Sequence, residues 1–500
     1  MAYAEKRGTL WRARWEAPDG RLASKSGFVT KNDALAYGRD QEAAIRNRTY
    51  VDPRASMTLT EWVNIWFPSL DLELSTLDNY RYFIEVHILP RFGDWELRAL
   101  EVAPEEIVKW ERQLPVSQRT AREARSTLAN LLNDAIPRYL SVNPAARRRG
   151  KGRKGLRRIE DAERSAKVWA SPLQALLLAE RCALLSGRDL EFILVITAAY
   201  TGMRWSELLG LQPSSVRSGL LQVSWKLYEL NGRFYRGRPK DGSIRPADSP
   251  PFLDDLLGRV RPQRCHCRGE GKWCSGAEYL FLTPDGAHFR RSNFSARYFR
   301  PAADGWYPGT NAKAAAPVLV DVSGGFPGRP VPAWPAAEPD KPFAPPTGRG
   351  HARLVDLDDG RGRCSVCQRT QMLRGDGTLI AHDAAGGRCT GGGQAPAADV
   401  PLACWSPLVT GLTPHGLRHG HQPMMDNAGV HYVLQSERMG HEVPGMRGTY
   451  AHPTQEMRDT LLAALPRLWN QALAERARLA ARSPVCVLDE LLRPFGGELT

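Results

Sequence analysis

The sequence predicts a mostly helical protein of several domains that also carries small β-sheets (α+β). The chain has 500 residues, which is more than one domain usually holds. From residue 58 to about residue 143, and in several segments after residue 168, apolar side chains recur with helical spacing. Residues 3–30 and 219–235 instead show the alternation and the turn residues that are typical of short strands.

The charge balance favours a polyanionic partner. Lys and Arg number 68 against 54 Asp and Glu, which gives a net charge of +14 and a pI near 9.5. Nucleic acid is the first candidate for such a chain, and a basic protein without such a partner is the alternative. No apolar run has transmembrane length, and the first residues lack the apolar core of a signal peptide. We therefore expect a cytoplasmic protein without a membrane partner.

The first domains follow from changes in the sequence pattern. Residues 1–52 combine short strands with a helix over 31–48, and residues 57–146 form a helical domain. Residues 147–167 form a basic linker that opens with RRRGKGRKGLRR, in which eight of twelve residues are basic. Such a run is either a solvated spacer or a segment that follows DNA phosphates. The candidate DNA-binding residues are Arg147, Arg148, Arg149, Lys151, Arg153 and Lys154.

A larger region over 168–470 carries the chemistry, and a helical tail over 471–500 follows it. An apolar helix ends at Gly202, and Arg204 follows at once. A guanidinium at such a helix end is held rigidly, as bidentate phosphate binding requires. Lys240 lies in a tight turn after a predicted hairpin. Residues from about 302 to 410 form an insertion, and we interpret its first part, rich in Pro, Gly and Ala, as loosely ordered.

The densest polar set lies between residues 412 and 452, where six of the 11 histidines occur. His415 and Arg418 are three residues apart and therefore share one face of a predicted helix. His441 follows, and Tyr450 comes nine residues after it. This pattern indicates a site that holds an anionic group beside a phenol.

These motifs resemble the active site of the tyrosine recombinase (phage integrase) family, in an actinobacterial form with a cysteine-bearing insertion. The sequence TGMRWSELLGL resembles the family's first-arginine box, and HGLRH, MGH and Tyr450 resemble the second half of its site. Met439 stands where leucine is usual. The resemblance implies an arm-type DNA-binding module (1–52), a SAM-like core-binding domain (57–146) and a mixed α/β catalytic domain (168–470).

The resemblance also implies an enzyme that cuts and rejoins DNA at specific sites through a 3′-phosphotyrosyl intermediate, integrating or excising a phage or mobile element. Tyr450 would be the nucleophile, while Arg204 and Arg418 would hold the phosphate oxygens. The remaining implied site residues are Lys240 for the leaving oxygen, His415 for the phenol proton, His441 for the phosphate, and Glu207 as support for the arginines.

The implied partners are double-stranded DNA attachment sites, a homotetramer on synapsed DNA, an excisionase and a host DNA-bending factor. No cofactor is needed for catalysis, because the phosphotyrosyl bond conserves the energy of the broken bond. The alternatives are a non-catalytic DNA-binding regulator on the same fold and a zinc-dependent DNA-binding module. A metal pair of His415 and His419 is a third alternative, although no carboxylate lies between them as in metalloproteases.

Two groups of cysteines suggest structural zinc. The first has C-x-x-C spacing followed by a histidine and a third cysteine, as in a small zinc ribbon; its ligands are Cys364, Cys367, His382 and Cys389. Free thiols or a redox pair are the alternatives. The second group is less distinctive and consists of Cys265, Cys267 and Cys274, with a nearby histidine or Cys404 as a candidate fourth ligand.

Overall fold

The computed structural model describes residues 1–47, 50, 57–147, 167–267, 274, 276–309, 315–321, 330–332, 361–384, 387–397, 402–441 and 452–498. The chain forms two compact units, Met1–Ala162 and Glu163–Thr500. Among the helices in these ranges, none is both long enough and apolar enough to cross a membrane. The fold is mostly helical with small antiparallel sheets, as the sequence predicts.

The first unit begins with a three-stranded antiparallel sheet covered by one helix. Its elements are β1 (Tyr3–Arg7), β2 (Leu10–Glu16), β3 (Leu22–Phe28) and α1 (Lys31–Arg46). Ala13 and Trp15 alternate along β2 and point inward, where they meet Ala34 of α1. The Thr30 side chain accepts a hydrogen bond from the Asp33 amide and so fixes the start of α1.

A helical bundle completes the first unit. Its helices are α2 (Leu59–Trp66), α3 (Leu74–Phe83), α4 (Leu89–Phe92), α5 (Leu97–Val102), α6 (Pro104–Gln113) and α7 (Gln118–Asn133). Thr58 and Glu61 form a capping box at the start of α2. The indole of Trp62 donates to Leu131 O of α7 at 2.9 Å. The bundle core therefore ties the first helix to the last.

The second unit joins helices to several two- and three-stranded sheets. Its helices are α8 (Pro172–Ser186), α9 (Asp189–Thr201), α10 (Trp205–Leu209), α11 (Pro251–Gly258), α12 (Arg291–Phe294), α13 (Arg300–Asp304), α14 (Pro414–Asn427), α15 (Tyr432–Met439), α16 (Gln455–Leu479) and α17 (Cys486–Leu492). Its strands are β4 (Val216–Arg217), β5 (Leu220–Val223), β6 (Lys226–Leu230), β7 (Arg233–Gly237), β8 (Arg245–Asp248), β9 (Gln263–Arg264), β10 (Glu278–Tyr279), β11 (Trp306–Tyr307), β12 (Ala316–Pro317), β13 (Leu319–Asp321), β14 (Pro330–Pro332), β15 (Arg361–Arg363), β16 (Thr370–Met372), β17 (Asp383–Ala384), β18 (Gly387–Arg388) and β19 (Leu402–Trp405).

The apolar helix α9 is the centre of this unit. Almost all of its side chains are buried, and α8, α14 and α16 pack around it and its neighbours. It ends at Gly202, which adopts a left-handed conformation with φ of +64°. A Cβ at this position would lie within 2.8 Å of Met439 Sδ and the His421 ring. Glycine is therefore required both for the helix end and for the close approach of α14 and α15.

The helix α16 places part of the predicted tail in the same core. The predicted boundary between residues 470 and 471 falls inside this 25-residue helix. Arg476 and Glu180 of α8 are both fully buried and form two hydrogen bonds of 2.6 and 2.8 Å. Leu473 and Leu488 of the segment after residue 470 also belong to the core of this unit.

The interpretation of the first part of the insertion as loosely ordered is wrong for its described residues. Ala302 and Ala303 are fully buried within α13. The strands β13 and β14 both pair with β19, with Leu319 opposite Cys404. The sequence pattern missed this sheet because its strands are short and pair across a long stretch of chain. Residues 310–314, 322–329 and 333–360 lie outside the described residues.

Candidate active site

Arg204 lies between the end of α9 and the start of α10. Its backbone N–H donates to Glu207 Oε2 at 2.9 Å, and its Nη1 donates to Glu207 Oε1 at 2.8 Å. Its Nη2 donates to the carbonyl oxygen of Gly440 at 3.1 Å. The side chain of Arg204 remains 21% exposed, whereas that of Glu207 is 1% exposed. Glu207 and the Gly440 carbonyl therefore fix the guanidinium, and part of the Arg204 side chain stays accessible to solvent.

Glu207 also binds a second arginine, Arg245 at the start of β8. Arg245 Nη2 donates to Glu207 Oε2 at 2.8 Å and its Nη1 to Oε1 at 3.2 Å. Burial raises the pKa of Glu207, but the hydrogen bonds and charges of Arg245 and Arg204 outweigh it and lower the pKa to about 2. The sequence pattern gave Arg245 no role, although this residue lies in the same turn as Lys240.

Arg418 of α14 is buried and connects three segments of the chain. Its Nη1 donates to Gly202 O at 2.6 Å, and its Nη2 donates to Met439 O and, at 2.9 Å, to His441 Nε2. Burial and the charge of Arg204 lower its pKa to about 10, so it stays protonated at neutral pH. The structure thus brings together Arg204, Arg418 and His441, as the motifs predict.

The two predicted histidines are neutral at pH 7. Desolvation, followed by the charges of His419, Arg418 and Arg204, lowers the pKa of His415 to about 4. Desolvation and the charges of Arg418 and Arg204 also lower the pKa of His441. Because His441 accepts a hydrogen bond at Nε2, its proton resides on Nδ1. Both side chains can therefore accept or relay a proton.

A cavity of about 1020 Å³ opens beside Arg204 and His415. Its wall comes from α10, the β6–β7 hairpin, α12 and the start of α14. The charged residues in the described lining are Arg204, Arg291, Arg300 and Glu229. Three cations against one anion favour a negatively charged ligand.

The remaining predicted site residues either lie away from the described cavity lining or fall outside the described residues. Lys240 is exposed on the turn before Arg245 and is absent from the described lining of the cavity. Tyr450 lies outside the described residues. In the basic linker Arg147 is half-exposed and contacts Glu111 at 2.5 Å. The remaining linker residues that were predicted to bind DNA lie outside the described residues: Arg148, Arg149, Lys151, Arg153 and Lys154.

The first cysteine group forms a compact four-residue cluster. The ligand atoms of Cys364, Cys367, His382 and Cys389 all lie within 4.8 Å of one another. Cys364 Sγ is 3.7 Å from Cys389 Sγ, and Cys367 Sγ is 3.3 Å from His382 Nε2. Tetrahedral zinc with Zn–S bonds of about 2.3 Å would set sulfur–sulfur distances of about 3.8 Å. These four residues therefore fit a tetrahedral metal ion.

The surroundings of this cluster also suit a metal. His382 Nδ1 lies 2.8 Å from Ile380 O, so its donation there leaves Nε2 free to bind a metal. Burial raises the pKa of the Cys364 thiol, but hydrogen bonds from the backbone of Cys367 and Val366 and from the side chains of His382 and Cys367 outweigh it and lower that pKa to about 6. Burial raises the pKa of the neighbouring Cys367 thiol, so Cys364 is the thiol that ionises first. A thiol that ionises easily binds metal readily.

The second cysteine group also comes together, but with a fourth residue that the sequence pattern did not single out. The ligand atoms of Cys265, Cys267, Cys274 and His288 lie within 4.8 Å of one another. Cys404, considered as a fourth ligand, instead lies in β19 and belongs to neither group. His288 follows Cys274 by 14 residues, much as His382 follows Cys367 by 15, so this spacing was the signal that could have indicated it.

Comparisons with known proteins find integrases. Residues 58–114 match the family model of the phage integrase N-terminal SAM-like domain. Two relatives that carry the name of prophage phiRv2 integrase, from Mycobacterium tuberculosis strains CDC 1551 / Oshkosh and ATCC 25618 / H37Rv, are 26% identical over 278 residues. That match covers 51% of this chain and 68% of each relative.

Two solved structures are also similar to the chain. The Tn1549 transposon integrase in complex with a circular intermediate DNA is 14% identical with a TM-score of 0.47, over 82% of this chain and all (100%) of that one. A lambda integrase tetramer bound to a Holliday junction is 17% identical with a TM-score of 0.34, over 60% of this chain and 84% of that one.

The buried carboxylate of Glu207 gives the site a testable pH dependence. Its pKa is lowered on folding, so its contribution to stability is complete above the unfolded pKa of about 4.3 and is lost as the pH falls towards about 2. We expect Glu207→Gln to lower the free energy of unfolding by about 3 kcal/mol at pH 7. Urea denaturation should show this difference shrinking between about pH 5 and pH 2.

A matched control is Glu490→Gln, which removes an exposed partner of Arg259 and should cost less than about 1 kcal/mol. A difference between Glu207→Gln and wild type that stays constant over this pH range would contradict the role assigned to Glu207.

Proposed function

The domain match and the sequence relatives confirm the resemblance to the tyrosine recombinase (phage integrase) family, and on that premise we propose that the chain is a site-specific DNA recombinase. It cuts and rejoins DNA through a 3′-phosphotyrosyl intermediate at Tyr450 and integrates or excises a phage or mobile element. The observation that supports this most is the convergence of Arg204, Arg418 and His441, which come from three distant segments.

In the proposed reaction Tyr450 Oη attacks the scissile phosphorus, and the bond from phosphorus to the 5′ oxygen breaks. The phenol proton passes to His415 or the solvent, and Lys240 donates a proton to the leaving 5′ oxygen. The reverse attack by a 5′-hydroxyl of another strand rejoins the DNA. Each step exchanges one phosphate ester for another, so neither ATP nor a catalytic metal is consumed.

The charges of the site suit this reaction. Arg204, Arg245 and Arg418 carry three positive charges and Glu207 one negative charge, which leaves an excess of two positive charges (3 − 1 = 2). A phosphodiester has one negative charge and gathers a second in the pentavalent transition state. The excess therefore matches the charge that develops, which is the condition for electrostatic catalysis.

Arg204 is the residue best placed to contact the phosphate. An arginine carries five N–H donors, and the described contacts of Arg204 use two of them, on Nη1 and Nη2. Arg204 and His415 both line the cavity. Arg245 is buried and binds Glu207, so we assign it a positioning role.

The proposed partners follow from the same family. We assign residues 1–52 to arm-site DNA binding, 57–146 to core-site binding and the basic linker to phosphate contacts, with catalysis in 168–470. The DNA substrate is a pair of attachment sites synapsed by a homotetramer in the cytoplasm, assisted by an excisionase and a host DNA-bending factor. The lambda integrase tetramer on a Holliday junction is a precedent for such an assembly.

The insertion is proposed to carry a structural zinc ion. Cys364, Cys367, His382 and Cys389 would hold it, and the ion would supply folding energy to the two small hairpins, β15–β16 and β17–β18. Arg369, in this ribbon, donates to Ser186 O at the end of α8. Zinc would therefore stabilise a ribbon that is docked on the catalytic unit.

The nucleophile is tested by Tyr450→Phe, which keeps the ring but removes the attacking oxygen. We expect wild type to form a covalent adduct with a nicked suicide substrate that carries the core site, and the variant to form none while it still binds DNA. A denaturing gel separates the adduct from free protein. Tyr432→Phe, which alters the nearest other tyrosine, should retain the adduct.

Arg204→Ala should bind DNA and cleave it about 10²- to 10³-fold more slowly.

Two results would contradict the proposal. An adduct that persists in Tyr450→Phe would place the nucleophile elsewhere. A wild-type protein that binds its site specifically but forms no adduct would favour the alternative of a non-catalytic DNA-binding regulator.

The zinc ribbon is tested by metal analysis of the double variant Cys364→Ser/Cys367→Ser. We expect it to contain about one zinc ion per chain less than wild type, because two of four ligands are removed. The matched control Cys404→Ser changes a buried cysteine outside both groups and should leave the zinc content unchanged. Equal zinc contents in the double variant and wild type would contradict the assignment.

The linker is tested by the salt dependence of DNA binding. Replacing Arg147, Arg148 and Arg149 by Ala should reduce the slope of log K against log salt by about 0.9 for each DNA phosphate that is no longer neutralised. Fluorescence anisotropy at several salt concentrations gives this slope. Arg259→Ala, which removes an exposed charge paired with Glu490, serves as the control. An unchanged slope in the triple variant would show that these arginines contact no DNA phosphate and that the linker is only a spacer.

A further inference from the structure

The second cysteine group lies within the catalytic unit itself. We propose that Cys265, Cys267, Cys274 and His288 bind one zinc ion, and that this ion holds these four residues against the β6–β7 hairpin. Metal binding does not depend on the recombinase assignment. Only its consequence for catalysis rests on the proposed function.

The ligand atoms of the three cysteines and of His288 lie close together. Cys274 Sγ is 3.2 Å from both Cys265 Sγ and His288 Nε2, and all four ligand atoms lie within 4.8 Å of one another. These distances are slightly below the edges of a zinc tetrahedron, about 3.8 Å between sulfurs. Three thiols and one imidazole form a soft ligand set that selects zinc over magnesium or calcium.

The residues around this group orient its ligands. The Tyr279 hydroxyl lies 3.3 Å from Cys274 Sγ, so it can donate to a metal-bound thiolate. The His288 ring contacts the rings of Phe234 and Tyr279, with centroids 4.9 and 4.8 Å away. Its Nδ1 is buried and has no hydrogen-bond partner in the described part of the chain. Ring packing therefore directs Nε2 toward the thiols.

The same residues hold the hairpin that forms one wall of the cavity. The Cys274 N–H donates to Phe234 O of β7 at 3.1 Å. Arg290, two residues after His288, contacts Glu229 and donates to Gly232 O at 3.0 Å. Glu229, Gly232 and Phe234 line the cavity together with Arg204. The strand β7 leads into the turn that carries Lys240. Loss of the ion would therefore make the cavity wall more mobile, and it would also make the position of Lys240 relative to the substrate less well defined.

The first test counts zinc in the purified full-length chain. We expect two zinc ions per wild-type chain and one in each double variant, Cys265→Ser/Cys267→Ser and Cys364→Ser/Cys367→Ser. His288→Phe keeps a ring against Phe234 and Tyr279 but removes the ligand nitrogen, so it should contain one ion. The control His266→Ala changes the exposed neighbouring histidine and should contain two. Two ions in His288→Phe, or one in His266→Ala, would overturn the ligand assignment.

A second test does not depend on the folding of the His288 variant. The Cys364→Ser/Cys367→Ser chain, stripped of zinc, is titrated with Co²⁺ alone. Binding at this site should give thiolate-to-metal charge-transfer absorption and tetrahedral d–d bands that saturate at one equivalent. Absence of these bands would overturn the proposal.

Adduct formation then separates the metal site from the proposed function. If both are correct, His288→Phe should lose one zinc ion and about tenfold or more in adduct yield, whereas Tyr450→Phe should keep both ions and form no adduct. A wild type with two ions and no adduct would leave the metal site standing and reject the recombinase assignment. Full adduct yield in a His288→Phe chain that has lost its ion would show that the ion is not needed to hold the β6–β7 hairpin for catalysis.

Discussion

The buried carboxylate of Glu207 is the interaction on which the candidate site depends. It receives hydrogen bonds from Arg204 and Arg245, both within 3.2 Å. Without a carboxylate these two guanidinium groups would repel each other in a poorly hydrated environment, where unpaired charge costs several kcal/mol. Arg245 in turn donates to Arg438 O at 2.9 Å. The carboxylate therefore connects α10 to β8 and, through it, to α15.

Carbonyl groups at two helix ends accept hydrogen bonds from the two arginines that are predicted to bind phosphate. α9 and α15 end at Gly202 and Gly440, both in the left-handed conformation. Arg418 donates to the carbonyl of Gly202, and Arg204 donates to that of Gly440. Carbonyl groups at a helix C-terminus have no partner within the helix and carry partial negative charge. The arginines supply the missing donors and are stabilised as cations in return.

The sequence predicts the parts of the site that follow local rules. The helix end at Gly202, the pair His415 and Arg418 on one helix face, and the hairpin at Asn231-Gly232 all depend on near neighbours, and the structure confirms them. The role of Arg245 depends on contacts between distant segments, which no spacing encodes. The sheet β13–β19–β14 was missed for the same reason, whereas the boundary placed inside the continuous helix α16 was an error about local structure.

In the proposed reaction, the residues that hold charge differ from those that move protons. Arg418, Arg245 and Glu207 are at most 4% exposed, so their positions are set before any ligand arrives. His415, His441 and Lys240 are exposed, so in the proposed reaction a substrate phosphate and its leaving oxygen would be able to reach them. Fixed charges need no reorganisation when the transition state forms, whereas a proton donor must approach an atom that differs from step to step. Glu207 neutralises only one of the positive charges of Arg204, Arg245 and Arg418, and the excess that remains would stabilise the doubly charged phosphorane of the proposed reaction.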